Sequence, residues 1–423
     1  EHDGSTQLVG GAVRDIMLGA APRELDVVVE GDTSSFVTAL ARRLSTLAGE
    51  DSQERCEVTS HERFKTALVR WESGEIDVAM RRTETYRSPG ALPDVAAGTP
   101  EQDLLRRDFT VNAIAVTLAG VGRAAVQAFA GALEDLEAGR LRVLHEASFH
   151  DDPTRLLRLA RYSTRLSFTV EDHTLQLANQ AVSSRALDTV SGARIGAELR
   201  LALSEEDALG ALAAMDELSL LSALHPGLCF KDDLARAALG LLPLDAHGDG
   251  DGRGKRVFAK PARGDLLLLA VLLQPMVFGM ENGIEDTAYT LLDDLEFPVA
   301  DRELVLQAAI HADAVAEELN NAEVPSEVHD TVSHLSAEGI ALAGAWAGLE
   351  WGPLSQAAEM ARLWFSDIRH VALQITGEDL IAAGVPEGPE VGERLRSAHA
   401  MLLDGLIEPG REPELRAALE AKT

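Results

Sequence analysis

A glycine pair, Gly10-Gly11, leads into a stretch that reads as a helix carrying Arg14 and Asp15, and Glu24-Leu25-Asp26 then opens the apolar run Val27-Val28-Val29. Alternate residues of a strand point to the same side, so a strand starting at Glu24 presents the carboxylates of Glu24 and Asp26 together. A glycine turn beside them admits phosphate groups to the backbone. The combination suits a site for Mg²⁺ and a triphosphate, and it asks for an α/β layer at the start of the chain. The plain alternative for an acid-x-acid triplet at a strand edge is a solvated strand end. Motifs further along bear on that choice.

Residues 1–142 read as α/β. Strand-like runs occur at Asp26–Val29, Thr66–Trp71, Ile76–Ala79 and Asn112–Thr117, with a helical stretch at Ser34–Ala48. From about residue 143 the pattern changes to successive helices, with apolar residues at three- and four-residue spacing in Pro153–Leu166, Thr174–Ala181 and Ala193–Leu203. Asp245–Asp265, rich in Gly, Asp and basic residues, reads as an exposed loop without the ligand spacing of an EF-hand. The expected organisation is α+β: a head over 1–142, a helical neck over 143–225, and a helical body and tail over 226–423.

At 423 residues the chain is long enough for roughly two to four domains. Nothing resembles a signal peptide and no apolar stretch is long enough to span a bilayer. Cys56 and Cys229 supply neither a disulfide framework nor a metal cluster, so a cytoplasmic protein without membrane contact is expected. The net charge of −31 argues on its face against a nucleic-acid partner. The charge is uneven, however: residues 101–200 hold 12 Arg and no Lys against 13 Asp plus Glu. That near-neutral stretch can attract RNA while the remainder repels it.

Three further motifs carry chemistry. In Arg106-Arg107-Asp108-Phe109-Thr110-Val111-Asn112, two arginines followed by Asp108 and Asn112 offer donors and acceptors to a ribose and a triphosphate; a surface pair closing a helix is the alternative. In Asp151-Asp152-Pro153-Thr154-Arg155-Leu156-Leu157-Arg158-Leu159-Ala160-Arg161-Tyr162, an Asp caps a helix with Pro153 in its first turn. Asp152 and Arg155 then share a helix face. Acceptor beside donor addresses the Watson–Crick edge of a base, and cytosine and adenine both offer an amine beside a ring-nitrogen acceptor. Arg158 and Arg161 continue the stripe toward phosphates, unless the face is simply solvated. Asp77-Val78-Ala79-Met80-Arg81-Arg82-Thr83-Glu84 lies between the first two motifs, with Asp77 either a third carboxylate near the metals or the end of a strand.

In order and spacing these strings resemble the nucleotidyltransferase superfamily of DNA polymerase β, and most closely its class II tRNA nucleotidyltransferase and poly(A) polymerase branch. The match includes that family's RRDxxxN, DVAxxRxE and EDxxR motifs. The loop Arg87–Pro100 corresponds to the family's flexible loop, Arg194–Leu199 to a neck motif in which Arg194 and Glu198 read as a structural pair, and Thr376-Gly377-Glu378-Asp379-Leu380 to a tail segment that grips the tRNA elbow. Two departures stand out: Glu24 replaces the family's first catalytic Asp, and Gln127–Gly131 lacks the Asp and Pro of a family turn.

The resemblance implies a polymerase-β-like head with a mixed sheet, followed by all-helical neck, body and tail. The implied reaction is template-independent addition of CMP and AMP from CTP and ATP to the 3′ end of tRNA. Glu24 and Asp26 would hold two Mg²⁺ ions. Gly10, Gly11 and Arg14 would cradle the triphosphate, Arg107, Asp108 and Asn112 would bind the nucleotide, Asp152 and Arg155 would pair with the base, and Arg158 and Arg161 would contact phosphates. A CC-only or A-only enzyme, a poly(A) polymerase and an inactive RNA- or nucleotide-binding protein remain as rivals, and the oligomeric state stays open between monomer and homodimer. A P-loop NTPase is disfavoured because no GxxxxGK[ST] follows the glycines, and His329-Asp330 lacks the partners of an HD phosphohydrolase.

Overall fold

The computed structural model describes residues 5–31, 33–47, 56–61, 65–72, 74–119, 121–243, 262–277, 284–350 and 355–421. The chain forms two compact units, Glu1–Leu224 and His225–Thr423. Most of the Asp245–Asp265 loop lies outside the described residues.

The first unit opens with β1 (Thr6–Val9), α1 (Gly11–Met17), β2 (Asp26–Val29), α2 (Thr33–Leu47), β3 (Glu57–His61), β4 (Thr66–Trp71) and β5 (Gly74–Met80). A separate hairpin of β6 (Arg82–Thr85) and β7 (Asp94–Ala97) follows, then α3 (Pro100–Leu105), β8 (Ile114–Ala119), β9 (Val126–Ala128) and α4 (Ala132–Glu137). Seven strands make one mixed sheet in the order β3-β4-β5-β2-β1-β8-β9, with β2 and β5 parallel.

The valine run of β2 is buried on both faces, as a central strand requires. Val27 and Val29 pack with Val37, Ala67, Val69 and Val78 on the α2 side. Val28 packs on the opposite face with Val9, Leu104, Ala113, Ala115 and Leu144. Asp26 shares the Val28 face by alternation, which aims it away from α2.

The expected strand Asn112–Thr117 starts later, at Ile114, because Thr110–Asn112 form a 3₁₀ turn. Asn112 Nδ2 donates to Asp108 Oδ1 at 2.9 Å and closes that turn. The turn near Gln127–Gly131 forms without the family's Asp and Pro, with Gly131 at φ +83° preceding α4.

Helices follow from residue 148: α5 (Ser148–Asp151), α6 (Thr154–Leu166), α7 (Asp172–Ser183) and α8 (Gly192–Leu203), then Ala208–Glu217 and Leu220–Leu224. Leu156, Leu157, Leu159 and Ala160 of α6 are fully buried, which fixes the opposite, arginine-bearing face of that helix.

The second unit is helical in every described element, from Asp232–Leu241 to Arg411–Glu420. Its end has a core of its own, built by Ile375, Leu380, Val385, Ala398, Ala417 and Ala418. Thr376 and Asp379 of the TGEDL string form a capping box at the helix Gly377–Ala382. No helix among the described residues is long and apolar enough to cross a membrane.

Candidate active site

A cavity of 610 Å³ in the first unit is lined by the glycine turn, the start of β2, the Arg106–Asn112 segment, α6 and α8, and its size is typical of small-molecule sites. It gathers every site residue expected from the sequence: Gly10, Gly11, Arg14, Glu24, Asp26, Arg107, Asp108, Asn112, Asp152, Arg155, Arg158 and Arg161. Ten arginines and seven acidic residues line it, so the cavity carries a positive excess within a chain of net charge −31.

At one end Gly10 turns the chain from β1 into α1 at φ +71°. A Cβ there would lie 2.6 Å from Arg107 Nη1 and 3.6 Å from Asp26 Oδ2, so only glycine lets this turn pass so close to both groups. Glu24 does not belong to the strand as expected. It lies in the bend before β2, exposed, and faces the same cavity as the half-buried Asp26. Asp77 sits opposite Asp26 in register. Burial first, then the charges of Asp77 and Glu24, push the Asp26 carboxyl up, against the pull of Arg107 and Arg106. Arg107 is held by Asp103 at 3.0 Å, and its buried Nε has no partner.

The middle of the cavity is a chain of mutual hydrogen bonds. Arg14, expected to cradle phosphates, donates to Asp15 Oδ1 and, at 2.6 Å, to Asn112 Oδ1. Asp108, expected to face the nucleotide, has both oxygens committed: Oδ1 to Phe109 N and Asn112, Oδ2 to Arg158 Nε and Nη2 at 2.8 and 2.6 Å. Burial alone would raise its carboxyl, but Arg158 and Asn112 hold it far below the usual range. Arg161 is buried, with its terminal nitrogens on Glu205 and Glu198. Tyr162 lies beneath three guanidiniums, those of Arg14, Arg158 and Arg161, at 5.4, 5.4 and 5.1 Å.

At the other end Asp152 is not on the helix, so the shared helix face expected for it and Arg155 does not exist. It precedes Pro153, which disfavours the helical region for its neighbour, and its backbone is extended at φ −135° and ψ 91°. Both residues line the cavity all the same. Asp152 Oδ1 accepts from Thr154 N, Thr154 Oγ1 and Arg194 Nη2, which leaves Oδ2 for a ligand. Arg155 is oriented by Ser148 Oγ at 2.6 Å and the Arg106 carbonyl at 2.7 Å. Arg194 and Glu198, expected to pair with each other, divide their bonds elsewhere: Arg194 to Asp152 and the Gly90 carbonyl, Glu198 to Arg158 and Arg161. Sequence reasoning missed Asp103, Ser148 and Glu205, which hold the arginines from positions with no local signature.

A sequence model of the poly(A) polymerase head domain matches residues 6–142. Over 97% of its length the chain is 32% identical to the A-adding tRNA nucleotidyltransferase of Geobacter sulfurreducens. Residues 6–142 belong to the poly(A) polymerase head-domain family, and the relatives support the tRNA nucleotidyltransferase family for the chain. Among solved structures similar to this chain, a CCA-adding enzyme in apo form II superposes with a TM-score of 0.79 at 28% identity, covering 98% of this chain and 91% of that one. The Thermotoga maritima CCA-adding enzyme complexed with tRNA gives 0.75 at 26% identity, again covering 98% and 91%. The chain spans about half or less of the length of the first curated relatives it matches: 44% of the Geobacter protein, and 52% and 27% of two others.

Nucleotidyltransferases of this family use a divalent metal, and the residues here fit one. Glu24 and Asp26 bring like charges together against an unfavourable burial, a situation that a cation relieves. No group of three or more His, Cys, Asp or Glu among the described residues is arranged to hold a metal alone. A carboxylate pair that leaves further ligands to phosphate oxygens suits a hard divalent ion.

Proposed function

We propose that the chain adds CMP and AMP, taken from CTP and ATP, to the 3′ end of tRNA at the cavity of its first unit. What supports this is the meeting, in one cavity, of the Glu24–Asp26 carboxylates with the Asp152–Arg155 pair, the arginine network lying between them. The terminal ribose hydroxyl attacks the α-phosphorus in line, the new phosphodiester forms, and pyrophosphate leaves with the bond that breaks. Mg²⁺, two ions in the full site, would be held by Glu24 and Asp26 and would lower the pKa of the hydroxyl and offset charge on the departing pyrophosphate.

The chain's own groups do the rest. The Gly10-Gly11 turn admits the triphosphate to the backbone, and Arg107, whose Nη1 lies beside that turn, reaches its oxygens. Asp108 and Asn112 keep Arg158 and Arg14 oriented for the nucleotide. Asp152 Oδ2 accepts the exocyclic amine of cytosine or adenine, and Arg155 donates to the ring nitrogen beside it. Uracil and guanine offer the opposite pattern and leave both groups unpaired. In this reading the chain divides into head, neck, and body with tail at about residues 142 and 225, the tail gripping the tRNA elbow. CTP, ATP and tRNA are met in the cytoplasm, and both cysteines are free, which suits that compartment.

A narrower reading, addition of A alone, is favoured by the name of the Geobacter relative that matches nearly the whole chain. Labelled CTP and ATP offered to tRNA ending before CCA, and separately to tRNA ending in CC, distinguish the two. The main reading predicts full CCA on the first substrate. Extension of only the CC-ended tRNA selects A addition, and long ATP-derived tails on any RNA contradict both.

A further inference from the structure

Two guanidiniums at the Glu24 end of the cavity have no part in the scheme above. Arg23 immediately precedes Glu24, and Arg165 lies on α6 one turn beyond Arg161. The Arg165 side chain is 16% exposed, yet it makes a single hydrogen bond, a long 3.4 Å contact to Asp15 Oδ2. The other oxygen of Asp15 belongs to Arg14. Arg23, half exposed, gives Nη1 to Glu205, whose second oxygen accepts from Arg161. Four guanidiniums thus share Asp15 and Glu205, with Glu198 divided between Arg158 and Arg161. Burial, then the charges of Arg23 and Arg14, lower the pKa of Arg165. Guanidinium left with open donors beside other cations is what an anion site looks like before the anion arrives.

We propose that Arg23 and Arg165 form a phosphate subsite beside Glu24 and Asp26 that receives the last phosphodiester of the RNA 3′ end. The inference rests on the nucleotidyl-transfer reading, because a hydroxyl that must reach the carboxylates brings its own 5′ phosphate to this wall. Arg161, committed to two carboxylates, supports the subsite and does not contact the phosphate. The same chemistry is offered by the terminal phosphate of the incoming triphosphate, and the experiment separates the two sources.

The full chain and its Arg165→Gln, Arg165→Lys and Arg23→Gln variants are compared on two acceptor-stem minihelices lacking CCA. One is native and the other carries a neutral methylphosphonate at the last linkage. Equilibrium binding of each is measured along with KM for minihelix and for CTP. Arg165→Gln and Arg23→Gln are each expected to raise the minihelix Kd and KM about tenfold, as loss of a charged hydrogen bond implies. KM for CTP and the unfolding temperature stay unchanged, and Arg165→Lys recovers part of the loss. The methylphosphonate costs the wild type a similar factor and costs Arg165→Gln nothing further. A rise confined to KM for CTP, with the methylphosphonate penalty intact in the variant, assigns the subsite to the triphosphate instead. No change in either KM overturns the subsite. If Arg165→Gln fails to fold, Arg23→Gln with the two minihelices decides by the same criteria. A wild type that binds the minihelix but transfers nothing contradicts the proposed reaction, while the binding comparison still tests the subsite.

Discussion

Asp152 is fixed through one oxygen, which takes three donors, and it lines the cavity. A hydrogen-bonded base pair of this kind is worth about 1–3 kcal/mol of discrimination. Asp152→Ala should therefore let UTP or GTP compete about ten- to a hundredfold better, read from incorporation in mixed-nucleotide assays. Unchanged preference would reduce the residue to scaffolding. Asp108 illustrates a different role. Its folded pKa lies far below the ordinary value, so its stabilising contribution is full above the unfolded pKa and is lost as pH falls toward the folded one. Asp108→Asn removes the partner of a largely buried Arg158 and should cost about 3–5 kcal/mol at neutral pH, a difference that narrows in acid denaturation series. Asp26 has the opposite sign. Its pKa is raised, first by burial, so the penalty for its charge grows as pH rises from the ordinary Asp range through the raised value. Millimolar Mg²⁺ should raise the unfolding temperature more at pH 8 than at pH 5, and chelator should reverse it; equal shifts at both pH values would place the cation elsewhere. The residue types at these positions were legible in the sequence, but their partners were not. Arg194 and Glu198 look like an i,i+4 pair worth a few tenths of a kcal/mol. That preference yields to the much larger cost of leaving a buried guanidinium such as Arg161 without a carboxylate.

The elements that matter most are a turn and a helix start, both set by residues with restricted backbones. Gly10 at φ +71° lets β1, α1, Arg107 and Asp26 converge. Gly10→Ala should cost about 1–3 kcal/mol of stability from strain alone, and nucleotide transfer should fall further because Arg107 must move; a variant with native KM for CTP would show that the turn does not touch the triphosphate. Pro153 forces Asp152 off α6, which the sequence signalled through proline and which a simple helical-face argument overlooked. β2 and α6 were legible because a valine run and a leucine stripe have clear periods. β1, β3 and the β6–β7 hairpin are short and mixed in composition, and they exist because the neighbouring strands complete their ladders. No local pattern announces that.

At the scale of the whole molecule, charge is partitioned. A chain of net charge −31 keeps ten arginines against seven acids around one cavity, and several of those arginines are spent on internal carboxylates. The RNA footprint should therefore be small, with a salt slope of about 0.9 per phosphate contacted on duplex and so shallow overall. A steep slope that Arg158 and Arg165 substitutions leave unchanged would place the RNA path elsewhere. We propose that this cavity performs nucleotidyl transfer on tRNA. The most direct test incubates the wild type and Asp26→Ala side by side with tRNA lacking CCA, labelled CTP and ATP, and resolves the products on a sizing gel, with tRNA binding measured in parallel. The wild type should extend the tRNA with C and A, while the variant should bind tRNA normally and add nothing. Extension by Asp26→Ala at a substantial rate, or none by the wild type on any tRNA end, would contradict nucleotidyl transfer at this cavity.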